Sequence, residues 1–302
     1  MCGFAGFLDP KNRLGQGAEG VAQRMAATLS HRGPDDSGAW ADAPAGFSVG
    51  HQRLTVIDLS QAGHQPMVSA NGRFVLAYNG EIYNFKNLRA ELEAAGTRFR
   101  GQSDTEVIVE GCAVWGLDKL VPRLNGMFAF ALWDREQRVL SLARDRLGIK
   151  PLYFGAQNGT FLFGSELKAL AAHPDWAPKI DLQAVAALLE RGYIPAPLSI
   201  YQGIGKLRPG HYASLRAGAE PEATCYWDLA RVVADGIEAR GQISEQEAMT
   251  ELEARLRDAV QRRLVADVPL GAFLSGGIDS SLVVSLMQDL SPRPVKTFTI
   301  GF

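Results

Sequence analysis

The first six residues, Met1-Cys2-Gly3-Phe4-Ala5-Gly6, constrain this chain more than any other stretch. Removal of Met1, which is usual before a side chain as small as cysteine, makes Cys2 the terminal residue. One residue then carries a thiol nucleophile and a free α-amine. A terminal α-amine titrates near about 8 and a thiol near about 8.5, so the amine is partly neutral at cellular pH. It can take the thiol proton, directly or through a water, as a built-in general base. Two glycines around an apolar Phe4-Ala5 pair let the terminus run into a sheet and be held there. By position alone, Cys2 reads equally as an apolar residue near a loose end.

A length of 302 residues suits about two domains. Hydrophobic residues at 46% and charged ones at 21% are the balance of an ordinary globular protein. The formal net charge of -2 leaves no electrostatic footprint for nucleic acid or an acidic membrane. The longest apolar run of interest, Met127 to Trp133, is too short to span a bilayer, and no basic start precedes an apolar core as in a secretory signal. A cytoplasmic location is expected. Cys2, Cys112 and Cys225 form no CxxC pair and the five histidines no HxxxH or HExxH spacing, which disfavours a disulfide or a tetrahedral zinc site. Cys112 lies in an apolar helical pattern and reads as packing; Cys225 has no assignable role.

After an opening strand, Ala18 to Leu29 reads as a helix with Val21, Met25 and Leu29 on one stripe. The polar, glycine-rich stretch His31 to Gly38 is a loop. Phe47 to His51 alternates like a strand and runs into Arg53-Leu54-Thr55-Val56. Phe74 to Tyr78 is a second strand, expected to end abruptly at Asn79-Gly80-Glu81. A helix from about Phe85 stops at Gly96, and Ser103-Asp104-Thr105-Glu106 fits a capping box opening a helix that ends at Gly116. Met127 to Asp134 and Arg138 to Arg144 read as a hairpin, its first strand apolar on both faces, which signals a layered core. Further strands at 152–154 and 160–163 and a short helix at 166–172 complete a pattern that suits two antiparallel sheets packed between helices. Asp181 caps a helix to Arg191. The proline-rich stretch from Tyr193 to Pro209 reads as a linker, and Ser244 to Glu247 is a second capping box before a long charged helix.

Near the end, the apolar strand Leu270 to Leu274 runs into Ser275-Gly276-Gly277-Ile278-Asp279-Ser280-Ser281 and then a helix to Leu290. A strand, a glycine-rich turn and a helix start gather backbone N–H groups and the positive helix end around one point, an anion cradle suited to the phosphates of a nucleotide. No lysine follows the second glycine, so this is neither the Walker pattern nor GxGxxG. Asp279 would repel phosphate unless it holds a divalent cation, so charge balance implies Mg²⁺. Val295 to Ile300 supplies the next strand of a β-loop-α-β unit.

Cys2-Gly3, Arg32-Gly33-Pro34-Asp35, Arg53-Leu54, Tyr78-Asn79-Gly80-Glu81, Ser103 to Glu106 and Ser275 to Ser281 stand in the order and spacing of the glutamine-dependent asparagine synthetase family, B type. The whole chain resembles that family. The resemblance implies an α/β and α+β architecture: an N-terminal-nucleophile αββα sandwich over residues 2–190, a linker or crossing segment over 191–240, and the start of a parallel-sheet ATP-pyrophosphatase domain over 241–302. It implies that Cys2 attacks the side-chain amide of glutamine, with Asn79 and the Gly80 N–H as the oxyanion hole. Arg53 is the implied grip on the glutamine α-carboxylate, Asp104 and Glu81 the partners of its ammonium, and Leu54 and Val56 further members of that site. In the nucleotide site, Leu274, Ser275, Gly276, Gly277, Asp279, Ser280 and Ile300 are the implied ATP contacts, with Asp279 the metal ligand. Two neutral donors aimed at a developing oxyanion contribute about 3 kcal/mol each, so that assignment also makes chemical sense.

The implied reaction hydrolyses glutamine and carries the ammonia to an ATP-activated carboxylate, aspartate in the type enzymes; a homodimer is implied as well. Only 21 residues follow Ser281, whereas relatives continue through several more strands and helices. The synthetase half is therefore expected to be incomplete and its activity weak or absent, with the glutaminase half competent. Two other readings stand beside this one: a related amidotransferase acting on another carboxylate acceptor such as a sugar acid, and a non-catalytic glutamine-binding fragment.

Overall fold

All six residues of the first strand, Gly3–Leu8 (β1), are buried, and the strand lies inside a sheet rather than at its edge. The computed structural model describes residues 2–239, 241 and 243–301. They separate into two units, the first ending at Leu229 and the second beginning at Ala230.

In the first unit β1 is followed by α1 (Ala18–Ala27), β2 (Asp36–Asp42), β3 (Phe47–Arg53), β4 (Met67–Val68) and β5 (Phe74–Ile82). Next come α2 (Phe85–Ala94), α3 (Asp104–Trp115), α4 (Leu117–Leu120), β6 (Gly126–Asp134), β7 (Val139–Arg144), β8 (Tyr153–Gln157) and β9 (Thr160–Gly164). Then α5 (Leu167–Ala171), α6 (Leu182–Arg191), β10 (Ile204–Lys206), β11 (His211–Arg216) and β12 (Glu222–Cys225) complete it. Among the described residues the strands form two antiparallel six-stranded sheets, ordered β10-β8-β9-β1-β3-β2 and β12-β11-β7-β6-β5-β4.

The inner faces of the two sheets meet on one core, with Phe4, Leu8, Phe47 and Phe163 from the first and Val75, Ala131, Trp133 and Leu142 from the second. Phe47 and Trp133 stack with ring centroids 4.5 Å apart, joining the sheets at their middle. The outer face of the first sheet takes α1 and α5, where Val21, Met25 and Leu29 pack on Ala5 and Phe7. A Cβ at Gly50 would come 2.8 Å from the Ala26 Cβ, so glycine there lets α1 lie close. On the second sheet α3 packs against β5 and α2 against α3. The result is the expected αββα layering.

Three expectations are corrected. β5 does not stop at Tyr78 but runs through Asn79-Gly80-Glu81 to Ile82, paired with β6 as far as Gly126. The ladder to a neighbouring strand outweighs the turn preference of Asn-Gly. At the start of α3, Ser103 Oγ accepts from the Glu106 N–H at 3.2 Å, but Glu106 does not reciprocate: its carboxylate accepts from the N–H groups of Arg100 and Gly101 at 2.8 and 2.9 Å. The third concerns residues 191–240, read as a linker. Here β10 adds to β8 and β11 to β7, with β12 beyond. Short extended segments are poor strands by themselves, yet they pair readily with an open sheet edge.

The second unit holds α8 (Glu245–Arg263), β13 (Gly271–Phe273), α9 (Ile278–Leu290) and β14 (Lys296–Phe298), preceded by α7 (Leu229–Glu238), whose first residue belongs to the first unit. Here the capping box is reciprocal: Ser244 Oγ accepts from Glu247 N–H at 3.3 Å and Glu247 Oε2 from Ser244 N–H at 3.0 Å. β13 and β14 pair in parallel across α9, the β-loop-α-β unit predicted from sequence. Phe273, Ile278, Phe298 and Ile300 are exposed on it. No helix among the described residues is long and apolar enough to cross a membrane.

Candidate active site

Register delivers the thiol. β1 pairs with β3 from Gly3 opposite Gln52, so Cys2, just before β1, meets Leu54, just after β3. The Leu54 N–H donates to Cys2 Sγ at 3.4 Å and the thiol donates to Leu54 O at 3.6 Å. Arg32 Nε donates to the Cys2 carbonyl at 2.9 Å, and Arg32 Nη1 reaches Glu166 Oε1 at 2.8 Å. Ser165 holds the next residue but one, exchanging hydrogen bonds with Phe4 at 3.1 and 2.9 Å. Burial pushes the Cys2 thiol above its usual range, while the Leu54 N–H and, more weakly, Arg53 draw it down.

A cavity of about 120 Å³ opens beside the thiol. Its wall contains Cys2, Arg53, Leu54, Val56, Asn79, Gly80, Glu81 and Asp104, every residue singled out for the glutamine site. Ile57, Gln65, Tyr78, Thr105, Met127 and Lys150 complete it. Arg53 is turned toward the loop after β3, donating to the carbonyls of Ile57 at 3.4 Å, Ser60 at 3.2 Å and Asp58.

The continuation of β5 explains how Asn79 and Gly80 are presented. Opposite Gly80 on β6, Phe128 gives its N–H to Asp145 Oδ2 at 3.1 Å and its carbonyl to the Asp145 N–H at 2.8 Å. Gly80 and Phe128 are thus a non-hydrogen-bonded pair, and the Gly80 N–H points away from β6. On that outer side Tyr78 N–H bonds Gln65 Oε1 at 2.7 Å and Ile82 N–H bonds Asp104 Oδ2 at 2.9 Å. The Gly80 N–H, between them, faces the cavity. Beside it the Asn79 side chain is buried with neither Oδ1 nor Nδ2 hydrogen-bonded. A buried amide without partners costs about 1–3 kcal/mol, and such a group in a cavity wall is a donor held ready for a ligand.

Asp104, at the start of α3, also accepts from the Tyr78 hydroxyl at 2.8 Å. Burial raises its carboxyl above the usual range, against the pull of those two donors. Gln65 bridges Tyr78 N–H and, through Nε2, Thr105 Oγ1 at 3.4 Å. Behind the wall, buried His51 is held neutral, its titration lowered to about 4 by burial. Its Nε2 therefore carries the proton and donates to Tyr78 O at 2.8 Å.

In the second unit, Ser275 to Gly277 form the turn between β13 and α9, while Ile278 to Ser281 make the first turn of α9, so the helix begins before Ser281 rather than after it. Gly276 has φ +79°, a conformation that favours glycine. Ser275 and Ser280 hydroxyls lie 3.0 Å apart, and the Ser280 and Ser281 hydroxyls donate to Gly277 O at 3.1 and 2.9 Å. No side chain caps α9 at Gly277, so its first-turn N–H groups face solvent. Leu274 N–H bonds Phe298 O at 2.9 Å, and Ile300 follows β14. Among the described residues no three His, Cys, Asp or Glu side chains gather to hold a metal. Mg²⁺ usually binds one or two carboxylates together with substrate phosphates and waters, so a lone exposed Asp279 fits a phosphate-borne Mg²⁺ rather than a resident one.

Sequence reading missed Ile57, Gln65, Tyr78, Thr105, Met127 and Lys150 as cavity residues. Thr105 sits inside the Ser103 motif, Tyr78 opens the Tyr78-Asn79-Gly80-Glu81 motif and Ile57 just follows the Arg53 stretch, but nothing local marks Gln65, Met127 and Lys150, which reach the site through register and loop closure.

Residues 1–227 match the family described as "Glutamine amidotransferase domain", and residues 251–302 match "Asparagine synthase". Over its whole length the chain is 37% identical to the Bacillus subtilis "Asparagine synthetase [glutamine-hydrolyzing] 3", covering 48% of that protein. Over 98% of its length it is 34% identical to "Amidase chry2" of Gibberella zeae, covering 44% of it. The chain therefore spans about half the length of the curated relatives it matches. Among solved structures, the glutamine phosphoribosylpyrophosphate amidotransferase of Bacillus subtilis superposes with a TM-score of 0.54 at 19% identity, over 75% of this chain and 49% of that one. That likeness shows the shared N-terminal-nucleophile fold. With three quarters of its length matched to one domain family, this chain belongs to the glutamine amidotransferases.

Proposed function

We propose that the chain hydrolyses glutamine at Cys2 and supplies the ammonia to an ATP-activated carboxylate, aspartate being the acceptor and asparagine the product. The observation that carries the first half is the buried, unbonded Asn79 amide beside the Gly80 N–H and the Cys2 thiol. With Met1 removed, the Cys2 α-amine takes the thiol proton and Sγ attacks the side-chain amide carbon of glutamine. Asn79 Nδ2 and the Gly80 N–H receive the oxyanion, each contributing about 3 kcal/mol in the transition state. The ammonium returns its proton to the leaving ammonia, and water hydrolyses the thioester to glutamate. Arg53 holds the substrate α-carboxylate, Asp104 and Glu81 its α-ammonium, and Leu54 and Val56 wall the stem.

In the second half Ser275, Gly276, Gly277 and Ser280 hold the ATP phosphates, with Leu274 and Ile300 beside the nucleotide and Asp279 toward Mg²⁺. Bound Mg²⁺ would neutralise phosphate charge. The acceptor carboxylate displaces pyrophosphate to give an acyl-adenylate, and ammonia displaces AMP. Activation is required because a free carboxylate is a very poor acyl donor to ammonia at neutral pH. The match of residues 251–302 and the name of the Bacillus subtilis relative support this half. The alternative reading is amidation of another carboxylate acceptor, such as a sugar acid. Free cysteines at positions 2, 112 and 225 suit a cytoplasmic enzyme. A homodimer completes the reading.

Glutamine turnover by the full chain, compared with Cys2→Ala, tests the first half: loss to background is expected, and unchanged turnover in the variant overturns the reading. Pyrophosphate release across a panel of acceptor carboxylates tests the second, and aspartate is expected to lead.

A further inference from the structure

Lys150 lies in the wall of the Cys2 cavity although only 3% of it is exposed. Its backbone is fixed by a turn wound about the buried Asp145 carboxylate, which accepts from the N–H groups of Phe128 at 3.1 Å, Leu147 at 3.1 Å, Ile149 at 2.9 Å and Lys150 at 3.0 Å. Arg144 Nε closes the turn on Lys150 O at 2.8 Å. Burying an ammonium is costly unless nearby groups favour its charge, so so firm a placement of a lysine in a reactive cavity asks for a role.

The charged and titratable groups that act on its ammonium come from four segments. They are Arg32 from the loop after α1, Cys2 before β1, Glu81 from β5 and Asp145 from its own turn. Asp104 and Arg53 face the Cys2 sulfur from α3 and β3. Burial and Arg32 draw the Lys150 ammonium below the usual lysine range, while Cys2, Glu81 and Asp145 oppose that shift. Electrostatic interaction is reciprocal, so the ammonium favours the sulfur anion in turn, with Arg53 the stronger cation at that sulfur.

We propose that Lys150 is a positioning residue of the glutaminase, a fixed cation in the cavity wall whose field stabilises the sulfur anion that attacks glutamine. The proposal rests on the glutaminase reading of this site. The proton that leaves the sulfur goes to the Cys2 α-amine, and Lys150 keeps its own throughout.

The test is the pH dependence of Cys2 alkylation by iodoacetamide in the full chain, read on the N-terminal peptide by mass spectrometry so that Cys112 and Cys225 do not contribute. In Lys150→Met the midpoint is expected to rise by about 1 pH unit, the usual size for loss of one nearby opposite charge. In Lys150→Arg it stays at the wild-type value, and the acid limb of kcat/KM for glutamine moves in parallel with the alkylation curve. An unchanged midpoint in folded Lys150→Met, or a shift in Lys150→Arg equal to that in Lys150→Met, overturns the proposal. Lys150→Gln replaces the methionine variant if circular dichroism shows that one unfolded. Failure of both neutral variants to fold, with Lys150→Arg behaving as wild type, assigns the charge to the fold and also overturns it. Alkylation is read without glutamine, so this result is separate from failure of the glutaminase reading, which turnover in Cys2→Ala would reveal.

Discussion

Arg32 Nε lies 2.9 Å from the carbonyl oxygen of Cys2 while its Nη1 lies 2.8 Å from Glu166, so one guanidinium ties the second residue of the chain to the segment just after β9. The backbone of the nucleophile is thus held by a side chain from the loop after α1, in addition to the strand pairing that follows it. A nucleophile misplaced by about 1 Å can lose ~10²-fold in rate. Arg32→Ala is therefore expected to lower kcat for glutamine hydrolysis by roughly 10–100-fold with little change in KM. Arg32→Lys, with one donor in place of a fork, should fall between the two. Steady-state kinetics of the three proteins check this.

Asn79→Ala separates catalysis from stability. Loss of one oxyanion donor lowers kcat by about 10²–10³. The amide it removes is buried without a partner in the unliganded chain, so the melting temperature is expected to stay level. A large drop in melting temperature with retained kcat would assign the side chain to the fold instead.

Asp104 titrates above its usual range because it is buried. The folded chain then binds this proton more tightly than the unfolded chain, so the group's contribution to stability declines as pH rises from about 4 through the raised value. Asp104→Asn keeps an oxygen for Tyr78 and Ile82 without the buried charge. At pH 8 its melting temperature is expected at or above wild type, while KM for glutamine rises about tenfold or more through loss of a charged partner. Thermal melts and kinetics on one preparation decide both.

His51 works in the opposite sense. Its titration is lowered to about 4 in the folded chain, against about 6.5 unfolded. Between those values the unfolded chain binds the extra proton, so stability falls on acidification from about 6.5 toward 4 by roughly 3 kcal/mol in all. His51→Gln is expected to flatten that slope of stability against pH, measured by urea unfolding from pH 7 to 4.5. An identical slope in the variant would clear His51 of the effect.

Much of the layout was readable along the chain because its signals are local. The α1 stripe of Val21, Met25 and Leu29, the cap at Asp181, the reciprocal box at Ser244 and the strand-turn-helix at Ser275 each lie within a few residues of their cause. Where long-range pairing competes, local preference gave way: Asn79-Gly80-Glu81 stayed in β5 because β6 lay beside it, and the 191–240 stretch read as a linker added β10 and β11 because sheet edges were open.

The residues that stand round Cys2 were partly legible as spaced motifs, and that spacing told of a common chemistry without telling of contact. By itself the sequence determined which local elements form and which side chains carry reactive groups. Only the tertiary structure decided that β1–β3 register sets the thiol on Leu54, that the Phe128–Asp145 exchange turns the Gly80 N–H toward the cavity, and that the turn about Asp145 brings Lys150 there. Helix and turn signals act over a handful of neighbours, whereas these contacts depend on which edges and faces meet after the whole sandwich has closed.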